Sequence, residues 1–118
     1  MNTGHAIWLL VGHYFADFVP QINYIGKNKA NNKWVLLLHT ILYIGVMGLF
    51  SAYIAKTLEG WMWFCVITWA FHTFVDLYTS EITHNYHKAG DSRGFWLMIG
   101  LDQTIHTSLL ILMLPMLN

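Results

Sequence analysis

Four apolar stretches run through this 118-residue chain, at about residues 5–24, 34–56, 61–80 and 95–117. Each is close to the roughly 20 residues that an α-helix needs to cross the hydrocarbon core of a bilayer. The links between them are short, so consecutive helices should lie antiparallel. The pattern predicts an all-α fold: an integral membrane four-helix bundle, up-down-up-down, with residues 1–118 as a single transmembrane domain. Trp8, Trp34, Trp61, Trp63 and Trp96 fall near predicted helix ends, as an interfacial aromatic belt would place them, and only Trp69 does not.

Polar residues interrupt these stretches in a regular way. His13 and Asp17, His72 and Asp76, and Asp102 and His106 are pairs four residues apart, and His39 stands alone in the second stretch. Residues i and i+4 share a helix face, so three helices present a histidine and a carboxylate in the same direction. At 1.5 Å per residue from the predicted ends, Asp17, His39, Asp76 and Asp102 should lie about 7–12 Å deep, with His13, His72 and His106 one turn further in. In a bilayer each carboxylate costs roughly 2.5–3.5 kcal/mol by insertion scales, so the layer needs a compensating partner. The order of these residues also hints at one helical hairpin used twice, related by an axis along the membrane normal, with a site collecting ligands from both halves.

Composition agrees with a membrane protein. The chain is 56% hydrophobic and 10% charged, against about 25% charged in soluble domains. Its formal net charge is zero, which speaks against nucleic acid or an anionic surface as a partner. The one cysteine, Cys65, rules out an intrachain disulfide and a CxxC metal site, and reads as a small packing residue. The first stretch lacks a basic leader and a small-residue cleavage site, and it carries part of the polar layer, so it reads as a retained helix. Lys27, Lys29 and Lys33 lie in the first link and Lys88 and Arg93 in the third, against Lys56 alone in the second. By the positive-inside rule the first and third links face the cytoplasm of a bacterial inner membrane and both termini face outward. Pro20 should free the Ala16 carbonyl beside Asp17. The third link, residues 81–94 with His84, His87, Asp91 and Arg93, reads as a solvated loop.

Mixed imidazole and carboxylate donors suit Zn, Fe or Mn, and inward-facing residues of a four-helix bundle can hold one or two such ions. Candidate ligands are His13, Asp17, His39, His72, Asp76, Asp102 and His106. Among them Asp17, Asp76 and Asp102 are the candidate catalytic carboxylates, one of which could instead act as a general base. Gln21, Tyr43 and Gln103 are placed to orient ligands through hydrogen bonds, and Lys27 and Lys29 to contact a substrate phosphate. A metal-free network of Asp–His bonds is the bland alternative, at about 0.6–2 kcal/mol per bond. A conduction path would need polar groups on both sides of the layer, and residues 6–12, 44–50, 61–67 and 109–117 supply none. The expected function is a metal-dependent membrane hydrolase acting on a lipid or lipid-like phosphate or ester from the cytoplasmic half of the bilayer.

The segments HYFADFVPQINYIGKNK, LLLHTILY, FHTFVDLYTSEI and GLDQTIH together resemble a family of small bacterial and phage membrane proteins classed as a domain of unknown function. Its pattern is H-x3-D-x3-Q, an isolated His, H-x3-D and D-Q-x2-H, and the resemblance runs from His13 to His106. It implies four membrane helices and no established activity. A weaker likeness of residue type connects it to inner-membrane metal-dependent hydrolases described as LexA-binding, whereas the clustered HxxHH elements of membrane desaturases are absent. The alternative function is a phage or bacterial membrane interaction protein, for host-envelope modification or superinfection exclusion, with a structural or metal-stapled core. Expected partners are membrane lipid and no nucleic acid, with a second copy or another membrane protein left open; no GxxxG element lies within the apolar stretches to mark a pairing face, the spacing from Gly90 to Gly94 falling in the polar third link.

Overall fold

Each helix starts at a residue whose short polar side chain accepts an otherwise orphaned backbone N–H. Asn2 accepts from His5, Asn32 from Trp34, Thr57 from Gly60 and Asp91 from Gly94. The protein, as a computed structural model, is described over residues 2–19 and 28–118. Its elements are α1 (Thr3–His13), a widened π turn (Tyr14–Phe18), α2 (Lys33–Ile54), α3 (Leu58–Lys88), α4 (Ser92–Met113) and a closing 3-10 turn (Leu114–Leu117). Among the described residues there are four helices and no strand, the all-α architecture that the apolar periodicity predicts.

Two expectations need correction. The third link is not a loop over 81–94: α3 continues to Lys88, because nothing between Glu81 and Lys88 breaks a helix. It stops at Gly90, whose φ of 72° is open to glycine at little cost. There the Gly90 N–H bonds the His87 carbonyl at 3.1 Å and the Asp91 N–H bonds the Tyr86 carbonyl at 3.0 Å, a Schellman ending. His84 and His87 are therefore helical, Asp91 caps α4, and Arg93 lies in its first turn.

The second correction follows from the first. The polar layer is not equally deep in α2, α3 and α4, and the depth expected for Asp17 is counted from an end outside the described residues. α3 runs about 18 Å beyond Asp76 and α4 starts about 15 Å before Asp102, whereas α2 starts only about 9 Å before His39. On that side the α3–α4 hairpin extends further from the layer than α2 does.

α1 packs on α2 and α4, and α3 packs on the same two, so the four helices close into a ring. Buried positions form one stripe per helix: Leu9, Gly12, His13, Ala16 and Asp17 on the first; Leu36, His39, Tyr43, Met47, Ser51 and Ile54 on the second. Phe64, Thr68, His72, Asp76 and Thr79 line the third, and Asp102, His106, Leu110 and Met113 the fourth. Each stripe is apolar toward one end of the bundle and changes to His and Asp further along. Gly12 is needed where α1 meets α2, because a β-carbon there would run into the Phe50 ring. The apolar end is tied shut by the Lys56 N–H on the Leu117 carbonyl at 2.9 Å and the Trp8 Nε1–H on the Phe50 carbonyl at 2.7 Å.

Replacing Gly90 with alanine should lower unfolding stability by about 1 kcal/mol while leaving helix content unchanged, since it places a β-carbon in the left-handed region. Thermal unfolding followed by circular dichroism measures this; an unchanged midpoint would show that the Schellman ending does not hold the hairpin.

Candidate metal centre

The inward stripes meet at their polar ends, and the side chains that converge there come from all four helices. His39 sits on α2, His72 and Asp76 sit one turn apart on α3, and Asp102 and His106 are likewise paired on α4. Asp17 lies in the π turn that continues α1, a local widening of the kind often found at functional positions. Asp17, His39, His72 and Asp76 are all at or below 1% exposure. Pro20, together with the predicted end of the first helix, falls outside the described residues, as do Gln21 and Lys27.

His39 Nε2 is 3.1 Å from Asp17 Oδ1, 2.9 Å from Asp76 Oδ2 and 3.2 Å from His72 Nε2. His72 Nε2 is 3.4 Å from Asp76 Oδ2 and 3.8 Å from Asp17 Oδ1. An imidazole nitrogen carries at most one hydrogen, so His39 Nε2 cannot donate separately to three neighbours. The same distances suit a shared ion. Tetrahedral coordination with bonds of about 2.0–2.2 Å sets its donors about 3.3–3.6 Å apart, and these five separations bracket that range. The four donor atoms lie within 4.8 Å of one another and could hold a metal ion. They come from both helical hairpins, two from each.

A second group joins the first through Asp17: Asp17, Asp102 and His106 also offer atoms within 4.8 Å of one another. His106 Nε2 lies between two carboxylates, 3.1 Å from Asp76 Oδ1 and 3.2 Å from Asp102 Oδ1. Asp76 thus turns one oxygen to His39 and His72 and the other to His106.

The remaining predicted residues surround these groups. His13 belongs to neither: its Nε2 meets Gln103 Oε1 at 2.8 Å and its Nδ1 meets the Tyr43 hydroxyl at 3.2 Å, with Asp17 Oδ2 3.6 Å away. Gln103 donates to Asp17 Oδ2 at 2.8 Å and to Asp102 Oδ2 at 3.1 Å, so one amide orients a histidine and two carboxylates. Tyr43 stacks flat on His72, ring centroids 3.7 Å apart. Lys29 Nζ, in the first link, is 3.4 Å from Asp76 Oδ2 and supplies a positive charge at the edge of the cluster.

Thr79 is a contact that sequence reasoning missed. Its hydroxyl donates to Asp102 Oδ1 at 2.5 Å. The available signal was its position three residues after Asp76 on the inward stripe of α3. The Nδ1 atoms of His39 and His72 are buried with no hydrogen-bond partner among the described residues, so their ring orientation rests on Nε2 contacts and on packing.

Residues 6–117 match a protein family described as "Protein of unknown function (DUF3307)". No curated protein and no solved structure matches the chain.

Replacing Gln103 with leucine leaves Asp17, Asp102 and His13 short of a shared hydrogen-bond partner. Removing such support typically costs about 10- to 100-fold in metal affinity. Chelator-competition titration with Zn²⁺ measures the loss, and an unchanged affinity would show that Gln103 does not orient the donors.

Proposed function

The chain belongs to the DUF3307 family, to which no function is assigned, and we propose that it is a membrane-embedded, metal-dependent hydrolase of lipid or lipid-like phosphates or esters. The observation that carries the metal is the convergence of Asp17, His39, His72 and Asp76 with separations that suit one tetrahedral ion. Zn, Fe and Mn all accept such a set of imidazoles and carboxylates.

The membrane reading rests on an inside-out distribution of polarity. The interior holds charged and imidazole groups, while Ile7, Leu38, Leu49, Val66, Phe74 and Leu112 point outward with many other large apolar side chains. Soluble monomers rarely leave such a continuous apolar exterior. Two helical segments, Lys33–Ile54 and Ser92–Leu117, are long and apolar enough to cross a bilayer, and less than half of each is buried in the bundle. The described helical part of the first span, residues 3–19, is short, and α3 is made more polar by His72, Asp76 and its C-terminal end; both cross in the proposed topology. Trp34 and Trp96, strongly exposed near the starts of α2 and α4, suit one headgroup boundary. In this reading the lysines and arginine of the first link and of the α3–α4 turn lie on the cytoplasmic side of an inner membrane, with both termini outside, as the positive-inside rule favours.

A bound ion with an open coordination position lowers the pKa of a water ligand toward about 7 and polarises a phosphoryl or carbonyl oxygen. The chain's own residues supply the rest. Gln103 and Thr79 fix Asp17 and Asp102 by donating to them, and Lys29 offers a cation to an anionic headgroup. Leu9, Met47, Phe64, Leu110 and Leu114 close the opposite end against water. Water would add across the ester bond, giving an acid and an alcohol.

A second reading has one observation in its favour. Four protein donors fill a tetrahedral shell, which is the mark of structural rather than catalytic zinc. On that reading the ion staples the hairpins of a membrane interaction protein together.

Protein purified without chelator should contain bound transition metal by elemental analysis, and EDTA should lower its thermal midpoint; a metal-free protein indifferent to EDTA overturns the reading. Asp76→Asn should lose at least about 100-fold in turnover of phosphatidic acid or a short-chain lipid ester in mixed micelles, while remaining helical. Retained turnover removes Asp76 from the catalytic set, and metal without turnover in the unaltered protein favours the staple. For topology, Ala89→Cys in a Cys65→Ser background should react with a membrane-impermeant maleimide only from the cytoplasmic side; labelling from outside reverses the orientation.

A further inference from the structure

The two donor groups differ in a way that assigns them different roles. The first has four donors from Asp17, His39, His72 and Asp76, each at most 1% exposed. A tetrahedral ion there would have no coordination position left for a substrate. Among the described residues the second has three donors, from Asp17, Asp102 and His106, and it is the less deeply buried: Asp102, at 9%, is the most exposed of the six. Asp17 is common to both groups. The Asp76 carboxylate spans the gap as well, with Oδ2 2.9 Å from His39 Nε2 and Oδ1 3.1 Å from His106 Nε2.

We infer that the centre is dinuclear, with a closed ion held by Asp17, His39, His72 and Asp76 and an open ion held by Asp17, Asp102 and His106, where substrate binds. This deepens the hydrolase reading and rests on it. Three observations support the second position. His106 Nε2 faces two carboxylate oxygens at nearly equal distance with one hydrogen to give, as His39 does in the first group. Asp102 is held from two sides, by the Thr79 hydroxyl on Oδ1 and by the Gln103 amide on Oδ2, which fixes a carboxylate that could otherwise turn outward. Gln103 also holds Asp17 Oδ2, so one side chain sets the geometry of the shared carboxylate and of the open position's own ligand.

Charge makes the substrate class explicit. Two divalent ions against Asp17, Asp76 and Asp102 leave one net positive charge, and Lys29 adds another at the edge. An anionic phosphate headgroup neutralises that excess, whereas a neutral ester does not. The dinuclear centre would therefore select a phosphate ester over a neutral one, with Asp17, Asp102 and His106 holding the open ion that would bind the phosphate and Lys29 adding its charge at the edge.

The test is a Mn²⁺ titration of full-length apo protein in detergent, read by bound-metal stoichiometry and by electron paramagnetic resonance. Two ions per chain with a spin-coupled spectrum are expected. In Asp102→Asn, one ion per chain with an isolated-Mn²⁺ spectrum should remain, because the closed group is intact. One ion per chain in the unaltered protein, or Asp102→Asn still binding two, overturns the dinuclear assignment and leaves a single closed ion. No bound ion at all overturns the metal reading itself, so the two failures are distinguishable. Should Asp102→Asn fail to fold by circular dichroism, the stoichiometry and spectrum of the unaltered protein decide alone, and His106→Gln serves as the second variant.

Discussion

Three carboxylates buried beside four imidazoles, in a bundle whose other interior residues are largely apolar, set the terms that the rest of the structure has to meet. A buried ionised carboxylate is strongly unfavourable unless a cation or several hydrogen bonds face it. The neighbours of Asp17, Asp76 and Asp102 can be read as answers to that requirement: His39, His72 and His106 at 2.9–3.8 Å, Gln103 and Thr79 as donors, and Lys29 at the edge. Hydrogen bonds alone leave the account unbalanced, because His39 Nε2 and His106 Nε2 each face more acceptors than they have hydrogens. A metal ion would resolve that imbalance with the donors already in place.

The same requirement shapes the fold around the cluster. Polar groups collected at one level of the interior leave the remaining inward positions to apolar packing, and Leu9, Met47, Phe64, Leu110, Leu114 and Leu117 fill them. The exterior carries the apolar surface that a soluble bundle would have turned inward. In the lipid setting proposed above, helix association would rely on packing and interhelical polar contacts rather than on hydrophobic burial. In that setting the cluster would be the main adhesive between hairpins as well as the chemical centre.

Asymmetry within the cluster matters for chemistry. The two hairpins use similar elements, with His13 and Asp17 matching His72 and Asp76, yet His72 joins a donor group and His13 does not. Gln103 and Tyr43 occupy the nitrogens of His13, whereas Tyr43 meets His72 only through its ring face. One histidine is thereby committed to hydrogen bonding and the other left with Nε2 directed at two carboxylates. On the dinuclear inference, a departure from internal symmetry of this kind would let one set of donors close around an ion while its neighbour stays open at Asp102.

Much was legible in the chain itself, because helix periodicity is a local property. Apolar runs with i, i+4 polar pairs fixed four helices and the face each turns inward, and residue chemistry alone named imidazole and carboxylate as the donors. The sequence could not separate His13 from His72, since both stand four residues before an aspartate and only the packing of Tyr43 and Gln103 distinguishes them. Nor could it foresee the length of α3: residues 81–88 are polar enough to read as a loop, and their helical state depends on the Schellman ending at Gly90 and on packing against α4. Thr79 stayed hidden for a related reason, as its value lies in reaching Asp102 on another helix. Local pattern determined which residues face inward, while distances between helices, which depend on the whole bundle at once, decided which of those residues share a site.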